Sequence, residues 1–126
     1  MAKKRTTKQA TPKPDSIGPA NWSDWEAAEV NLDLIDPHPQ NPGRHRITPA
    51  GIKERADDIE AHGQLQPILL RPVGKRYQIV FGEYRYHACL MLRSRKSDGR
   101  RTIAARIAAA DLTDAQVLEL QAVENG

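Results

Sequence analysis

Apolar and polar residues alternate along the first patterned stretch of this chain. The alternation between Val30 and Leu34 is typical of a half-buried strand, so we expect ordered structure to begin near Val30. Two short apolar runs, Gln66–Arg71 and Arg76–Phe81, have the length of strands. Pro72–Lys75 separates them and fits a hairpin turn, so the pattern predicts an antiparallel pair.

Helical spacing and capping residues mark three further segments. Thr48 followed by proline is a favourable helix start and Gly63 a favourable stop, which predicts a helix over 49–62. A second helix is predicted over 83–93, after a glycine that ends the preceding strand. Thr113–Gln116 has the form of a capping box and predicts a third helix.

The order of these elements indicates the fold class. Residues 102–108 fit either a strand or a helix by pattern, and we choose a strand because the run is short and lies between two helices. Strand, helix, strand, strand, helix, strand and helix on 126 residues predict an α+β domain with a small mixed sheet and flanking helices.

Composition limits the class of protein. Aromatic residues make up 5% of the chain and hydrophobic residues 39%, so the core must be largely aliphatic. The single Cys89 excludes an intrachain disulfide, and its apolar helical surroundings predict a buried, inert thiol. No segment approaches the roughly 20 apolar residues of a membrane helix, and the charged start of the chain does not resemble a secretory signal. We therefore expect a cytoplasmic protein with no membrane partner.

Charge and composition divide the chain into two parts. Residues 1–29 are predicted to be a disordered basic tail, and residues 30–126 a folded domain. Trp22 and Trp25 either pack on the edge of the domain or bind a partner. A second basic run, Arg93–Arg101, is either a solvated loop or a contact for a polyanion. The tail carries its own basic group of Lys3, Lys4, Arg5, Lys8 and Lys13.

The turn at Gly82 is the segment most suggestive of chemistry. A strand ends there and a helix begins, so backbone N–H groups without helical partners would point at an anion. Arg85 and His87 would add side-chain donors close by. The same pattern also describes an ordinary strand-to-helix turn with a surface arginine.

Three weaker candidates accompany this turn. The strand edge at Gln66 could read a nucleobase, and Arg44 on a proline-rich loop could clamp a phosphate. Glu124 and Asn125 offer the oxygen donors that suit Mg²⁺. A plain core strand, a surface turn and a solvated helix end are the respective alternatives. The four histidines lack metal-ligand spacing.

Taken in order, these segments resemble the N-terminal domain of the ParB family, from about Val30 to Asn125. The resemblance rests on Leu-Ile-Asp-Pro-His-Pro-Gln-Asn-Pro, His-Gly-Gln-Leu-Gln-Pro-Ile-Leu-Leu-Arg, Gly-Glu-Tyr-Arg-Tyr-His-Ala and the terminal Glu-Asn. It implies a ParB/sulfiredoxin-like fold and a CTP-dependent DNA clamp with, at most, slow CTP hydrolysis. It also implies a homodimer on nucleotide binding, a nucleoid- or plasmid-associated location and DNA contact through the full-length protein.

The resemblance assigns a role to each motif. A basic tail in this family contacts a ParA-type ATPase, and the final Glu-Asn pair coordinates Mg²⁺. The chain is expected to be a segment of a longer protein that continues into a helix-turn-helix domain. The implied nucleotide-binding residues are Arg44, Gln66, Pro67, Ile68, Gly82, Glu83, Tyr84, Arg85 and His87; the metal ligands are Glu124 and Asn125; the ATPase contacts are Lys3, Lys4, Arg5 and Lys8.

Two departures leave other functions open. The family turn usually reads Gly-Glu-Arg-Arg with a further arginine two places on, whereas this chain has Tyr84 and His87 at those positions. An interaction module with a degenerate nucleotide pocket is one alternative. A plasmid-type transcriptional regulator and an ATPase or nuclease on the same fold are others. Reductase activity is not expected, because Glu83 and Tyr84 stand where sulfiredoxin carries its cysteine.

Overall fold

The computed structural model describes residues 22–39, 47–109 and 111–125. Within them, five strands and three α-helices form the α+β domain that the pattern predicts. The strands are β1 (Glu26–Asn31), β2 (Ile35–Asp36), β3 (Ile68–Val73), β4 (Arg76–Phe81) and β5 (Thr102–Ile107). The helices are α1 (Pro49–His62), α2 (Glu83–Arg93) and α3 (Asp114–Asn125), with 3₁₀ turns at Trp22–Asp24 and Leu32–Leu34.

The strands form one mixed sheet in the order β1-β5-β3-β4-β2. The β3–β4 hairpin is antiparallel, and β1 pairs antiparallel to β5. β3 runs parallel to β5, with Ile68 opposite Ala105, and β4 runs parallel to β2. A register shift between Leu69 and Leu70 interrupts the hairpin. This bulge lies close to the end of β4, where the chain turns into α2.

The two faces of the sheet carry separate apolar cores. Ile68, Leu70 and Ile79 point to one face, where α1 and α2 cover them. Leu69 and Val80 point to the other face and pack against α3. Both cores are mainly aliphatic, as the composition predicts. The fully buried side chains include Leu32, Ile68, Leu70, Ile79, Leu92, Ile103, Val80, Val117 and Cys89.

The helix boundaries confirm the capping predictions. Thr48 Oγ1 accepts a hydrogen bond from the N–H of Gly51 at 3.1 Å, and α1 ends before Gly63, whose φ is 82°. At the start of α3, Thr113 Oγ1 accepts from the Gln116 N–H at 3.1 Å, while Gln116 Oε1 accepts from the Thr113 N–H at 3.0 Å. This reciprocal pair is the capping box read from the sequence. None of the described helices has the length and apolar character needed to cross a membrane.

Several boundaries differ from the predictions. The first strand starts at Glu26 rather than near Val30, and Leu32–Leu34 form a 3₁₀ turn instead of continuing it. Asn31 causes this change, because its side chain accepts from the Asp33 N–H at 2.8 Å and caps the turn. The hairpin's first strand spans Ile68–Val73 and not 66–71, so Gln66 precedes it.

The two tryptophans have different environments. Trp25 is buried with the α3-side core, which agrees with packing on the domain edge, whereas Trp22 is 41% exposed. Ordered structure therefore extends at least to Trp22, eight residues before the predicted start at Val30. The basic residues of the tail and the loop at Arg44 lie outside the described residues.

Candidate functional site

The junction between β4 and α2 is built around a glycine that no other residue can replace without strain. Gly82 has φ 105° and ψ 29°, a left-handed conformation that side chains disfavour. A Cβ atom at this position would lie 2.5 Å from Cγ2 of Ile68. The glycine thus lets the start of α2 approach the start of β3. The predicted phosphate turn and the predicted base-reading strand are neighbours for this reason.

A side-chain hydrogen bond joins these two segments. Arg85 Nη2 donates to Oε1 of Gln66 at 3.1 Å. Gln66 is exposed and Arg85 is half-buried, so both lie near the surface at the N-terminal end of α2. The helix dipole and the first N–H groups of α2 make this end favourable for an anion, and the guanidinium adds charge. We call Gly82–Arg85 the α2 turn.

Glu83 lies inside the domain despite its charge. It is 4% exposed and occupies the first position of α2. A carboxylate there interacts favourably with the helix dipole. Because Glu83 is so buried, it is better placed to organise the α2 turn than to meet an incoming phosphate.

Tyr84 contacts α1. Its hydroxyl accepts a hydrogen bond from the N–H of Thr48 at 3.2 Å, and its ring lies 5.7 Å from Cζ of Arg55. Hydrogen bonding from Thr48 lowers the pKa of the Tyr84 phenol. His87 is half-buried one turn further along α2, with its ring edge-on to Tyr86 at a centroid distance of 5.2 Å.

A second polar cluster, which the sequence did not reveal, fixes the start of α3. Arg71 donates to Oε1 of Gln78 at 2.9 and 2.6 Å and to the Leu112 carbonyl at 3.1 Å. Its guanidinium also pairs with Asp114. The Arg71 side chain is only 11% exposed. We call Arg71, Gln78, Leu112 and Asp114 the α3 clasp.

His38 is buried within the electrostatic reach of both clusters. It is 3% exposed, and burial lowers the pKa of its imidazole. The Arg71 charge lowers it further, while the Asp114 and Glu83 carboxylates act in the opposite direction. The one sequence signal for His38 is its position between two prolines in a stiff loop.

Gln64 is another residue that sequence reasoning missed. Its side chain pairs with the backbone of Ala104 in the manner of a strand, accepting from the N–H and donating to the carbonyl, both at 2.9 Å. It also donates to the Gln66 carbonyl at 2.9 Å. Gln64 therefore fixes the segment that leads into β3 and carries Gln66 and Pro67.

The predicted metal ligands are the last two residues of α3, Glu124 and Asn125, and only their backbone is described. Across the described parts of the chain, no group of three His, Cys, Asp or Glu side chains could hold a metal ion. Cys89 is fully buried, as predicted, and burial raises the pKa of its thiol.

The basic run after α2 is largely paired within the domain. Arg93 pairs with Asp33 at 2.6 Å, and Arg100 pairs with Asp98 at 2.7 Å. Arg95 contacts both Asp57 and Glu60. These pairs favour a structural loop over a contact for a polyanion.

Comparisons with known proteins agree with this architecture. The sequence model of the ParB N-terminal domain matches residues 20–126. The chain is 44% identical over 101 residues to the chromosome-partitioning protein Spo0J of Thermus thermophilus, covering 79% of this chain and 34% of that protein. It therefore spans about a third of the length of this curated relative.

Solved structures show the same fold. Caulobacter crescentus ParB, C-terminally truncated and complexed with CTP-gamma-S, superposes with a TM-score of 0.67 at 29% identity, covering 79% of this chain and 52% of that one. Sulfiredoxin from Arabidopsis thaliana superposes with a TM-score of 0.50 at 26% identity, covering 65% of this chain and 83% of that one. Both agree with the predicted ParB/sulfiredoxin-like fold. From its sequence and its architecture together, the chain belongs to the ParB N-terminal domain family.

Proposed function

We propose that this domain is a CTP-binding switch of a DNA-partition protein. The observation that carries the proposal is the meeting of Gln66 and Arg85 at the α2 turn, where a helix N-terminus and a guanidinium adjoin a strand start. A triphosphate would be held by the helix N-terminus while the base lies along the chain that leads into β3. The related Caulobacter protein, whose structure contains CTP-gamma-S, supports the choice of nucleotide.

The roles of the individual residues follow from their positions. The segment from Gln66 through Pro67 to Ile68 would contact the base, with Gln66 offering both a donor and an acceptor. The backbone at Gly82 and the Arg85 side chain would hold phosphates. Glu83 would organise the turn from inside the domain, and Tyr84 would anchor it to the start of α1. His87 would act from the second turn of α2. Arg44 is proposed as an accessory phosphate contact.

Magnesium fits the end of α3. Glu124 and Asn125 supply a carboxylate and an amide oxygen, the hard donors that this ion prefers. They close a helix of 12 residues, whose C-terminal carbonyls carry partial negative charge and so favour a cation. When bound, the ion would neutralise phosphate charge. Glu124 and Asn125 would hold the ion.

The remaining partners in this proposal are DNA, a second copy of the domain and a ParA-type ATPase. Nucleotide binding would favour the pairing of two such domains into a clamp on DNA. The basic tail, with Lys3, Lys4, Arg5 and Lys8, would contact a ParA-type ATPase. Family membership and the relatives named as chromosome-partitioning proteins support these assignments.

Calorimetric titration tests the nucleotide claim. CTP, ATP, GTP and UTP are titrated in Mg²⁺ into the wild type, Arg85→Ala and Arg101→Ala. The last variant removes the same charge at an exposed position beyond α2. We expect CTP alone to bind, with Arg85→Ala weakening it roughly 10- to 100-fold because a charge-assisted contact is lost. Equal binding by the two variants, or a preference for ATP, would contradict the proposal.

A further inference from the structure

Tyr84 connects the starts of two helices that are distant in the sequence. Its hydroxyl accepts from the N–H of Thr48, the N-cap residue of α1. Thr48 in turn caps α1 by accepting from Gly51 at 3.1 Å. The tyrosine lies in the first turn of α2, between Glu83 and Arg85. A movement of the α2 turn would therefore break a contact at the start of α1.

The first turn of α1 has the shape that this contact requires. A Cβ atom on Gly51 would lie 2.5 Å from the Tyr84 hydroxyl oxygen and 2.8 Å from its ring. Glycine is an unfavourable residue inside a helix, where it costs about 1 kcal/mol relative to alanine. Here it leaves the space in which the tyrosine ring lies. Arg55, one turn later, adds a cation–π contact to the same ring.

We propose that Tyr84 is a positioning residue that couples the start of α1 to the α2 turn. Because the backbone of the α2 turn carries the proposed phosphate donors, the anchored tyrosine fixes their direction. Only the consequence of this coupling, which is tighter binding of a triphosphate, rests on the proposed function. The contact itself exists without nucleotide and is tested without it.

Two substitutions distinguish the contribution of the Tyr84 hydroxyl from that of its ring. Tyr84→Phe keeps the ring and its Arg55 contact but removes the acceptor for Thr48. Gly51→Ala favours the helix and pushes the ring away. Tyr77→Phe, in β4, is the matched control for loss of a tyrosine hydroxyl. Thermal unfolding identifies any variant that fails to fold.

Amide hydrogen exchange in the absence of nucleotide measures the coupling between the start of α1 and the α2 turn. We expect Tyr84→Phe and Gly51→Ala to accelerate exchange at Thr48 and also at Tyr86, whose N–H bonds to the Gly82 carbonyl at 2.9 Å. Faster exchange at Thr48 with an unchanged Tyr86 would overturn the proposal, because the contact would then be local. Tyr77→Phe should change neither amide.

The affinities for inorganic triphosphate and for CTP test whether the coupling tightens triphosphate binding. We expect Tyr84→Phe to weaken both about two- to tenfold, the range for loss of one neutral hydrogen bond, and to leave CMP affinity unchanged. Equal weakening of CMP would contradict a role at the phosphates. If the wild type binds neither CTP nor triphosphate, the proposed function fails, and the exchange result still decides the coupling.

Discussion

Arg71 lies within β3 and Arg85 lies in the first turn of α2, and the two hold different kinds of structure. Arg71, in the α3 clasp, is 11% exposed and bonds to a side-chain amide, a backbone carbonyl and a carboxylate of its own domain. Arg85, in the α2 turn, is half-buried and bonds to an exposed glutamine. An arginine whose donors are used internally stabilises a fold. An arginine beside an open helix N-terminus can exchange its partner for a phosphate.

Loss of the α3 clasp should give the largest change. Arg71→Ala leaves the Leu112 carbonyl and the Gln78 amide without their donor, and we expect the free energy of unfolding to fall by about 3 kcal/mol. Urea denaturation measures this free energy, and Arg101→Ala is the control because it removes the same charge at an exposed position. A change below about 1 kcal/mol would contradict a structural role for Arg71.

Strain at the α2 turn comes next. Gly82→Ala forces an alanine into a left-handed conformation and against Ile68, so we expect a loss of about 2 kcal/mol. Gly74→Ala is the control, because Gly74 also has positive φ but no atom within 4 Å of an added Cβ. Urea denaturation of both variants separates the steric contact from backbone strain. Equal losses would show that contact with Ile68 adds nothing.

Burial of His38 should make the stability of the domain depend on pH. His38 has a folded pKa below its unfolded value, so the unfolded chain binds a proton first as the pH falls. Stability is full above the unfolded pKa of about 6.5 and declines as the pH falls from there towards the folded pKa. The slope is at most about 1.4 kcal/mol per pH unit.

Substitution of His38 isolates that slope. His38→Gln should flatten the stability curve below about pH 6.5, whereas the wild type should keep its slope there. Urea midpoints across the pH range measure the difference. An unchanged slope in His38→Gln would assign the pH dependence to other groups.

Loss of the Arg85 side chain should have the least effect on stability. Arg85→Ala should change the free energy of unfolding by less than about 0.5 kcal/mol, because its partner Gln66 is exposed and can bond to water. Urea denaturation beside Arg71→Ala provides the test. A loss comparable to that of Arg71→Ala would make Arg85 structural and remove the distinction between the two regions.

Local signals explain which parts of the fold could be predicted. The 49–62 and 83–93 helices, β4 and the Thr113 capping box were all found because their caps and turns lie within a few residues of one another. The turn at Leu32–Leu34 was missed because apolar alternation continued through it while the Asn31 side chain ended the strand. Apolar alternation alone does not reveal a side-chain cap of this kind.

The site was predicted in part for a related reason. The sequence indicated the α2 turn and Gln66 separately, and resemblance to a family connected them. Their direct contact depends on the approach of Gly82 to Ile68, which only the folded sheet provides. The bonds from Arg71 to Leu112 and Asp114, from Gln64 to Ala104 and between Tyr84 and Thr48 join residues 36 to 43 positions apart, and no local signal marks them.

The most direct test of the α2 turn as the nucleotide site is an NMR titration of the wild-type domain with CTP in Mg²⁺, followed through backbone amide shifts. We expect the largest changes at Gly82–Tyr86 and at Gln66 and Ile68, with small changes at Arg71, Gln78 and Asp114. Shifts confined to the outer face of α1 or to the α3 clasp, or no shifts at all, would contradict the claim that the α2 turn is the nucleotide site.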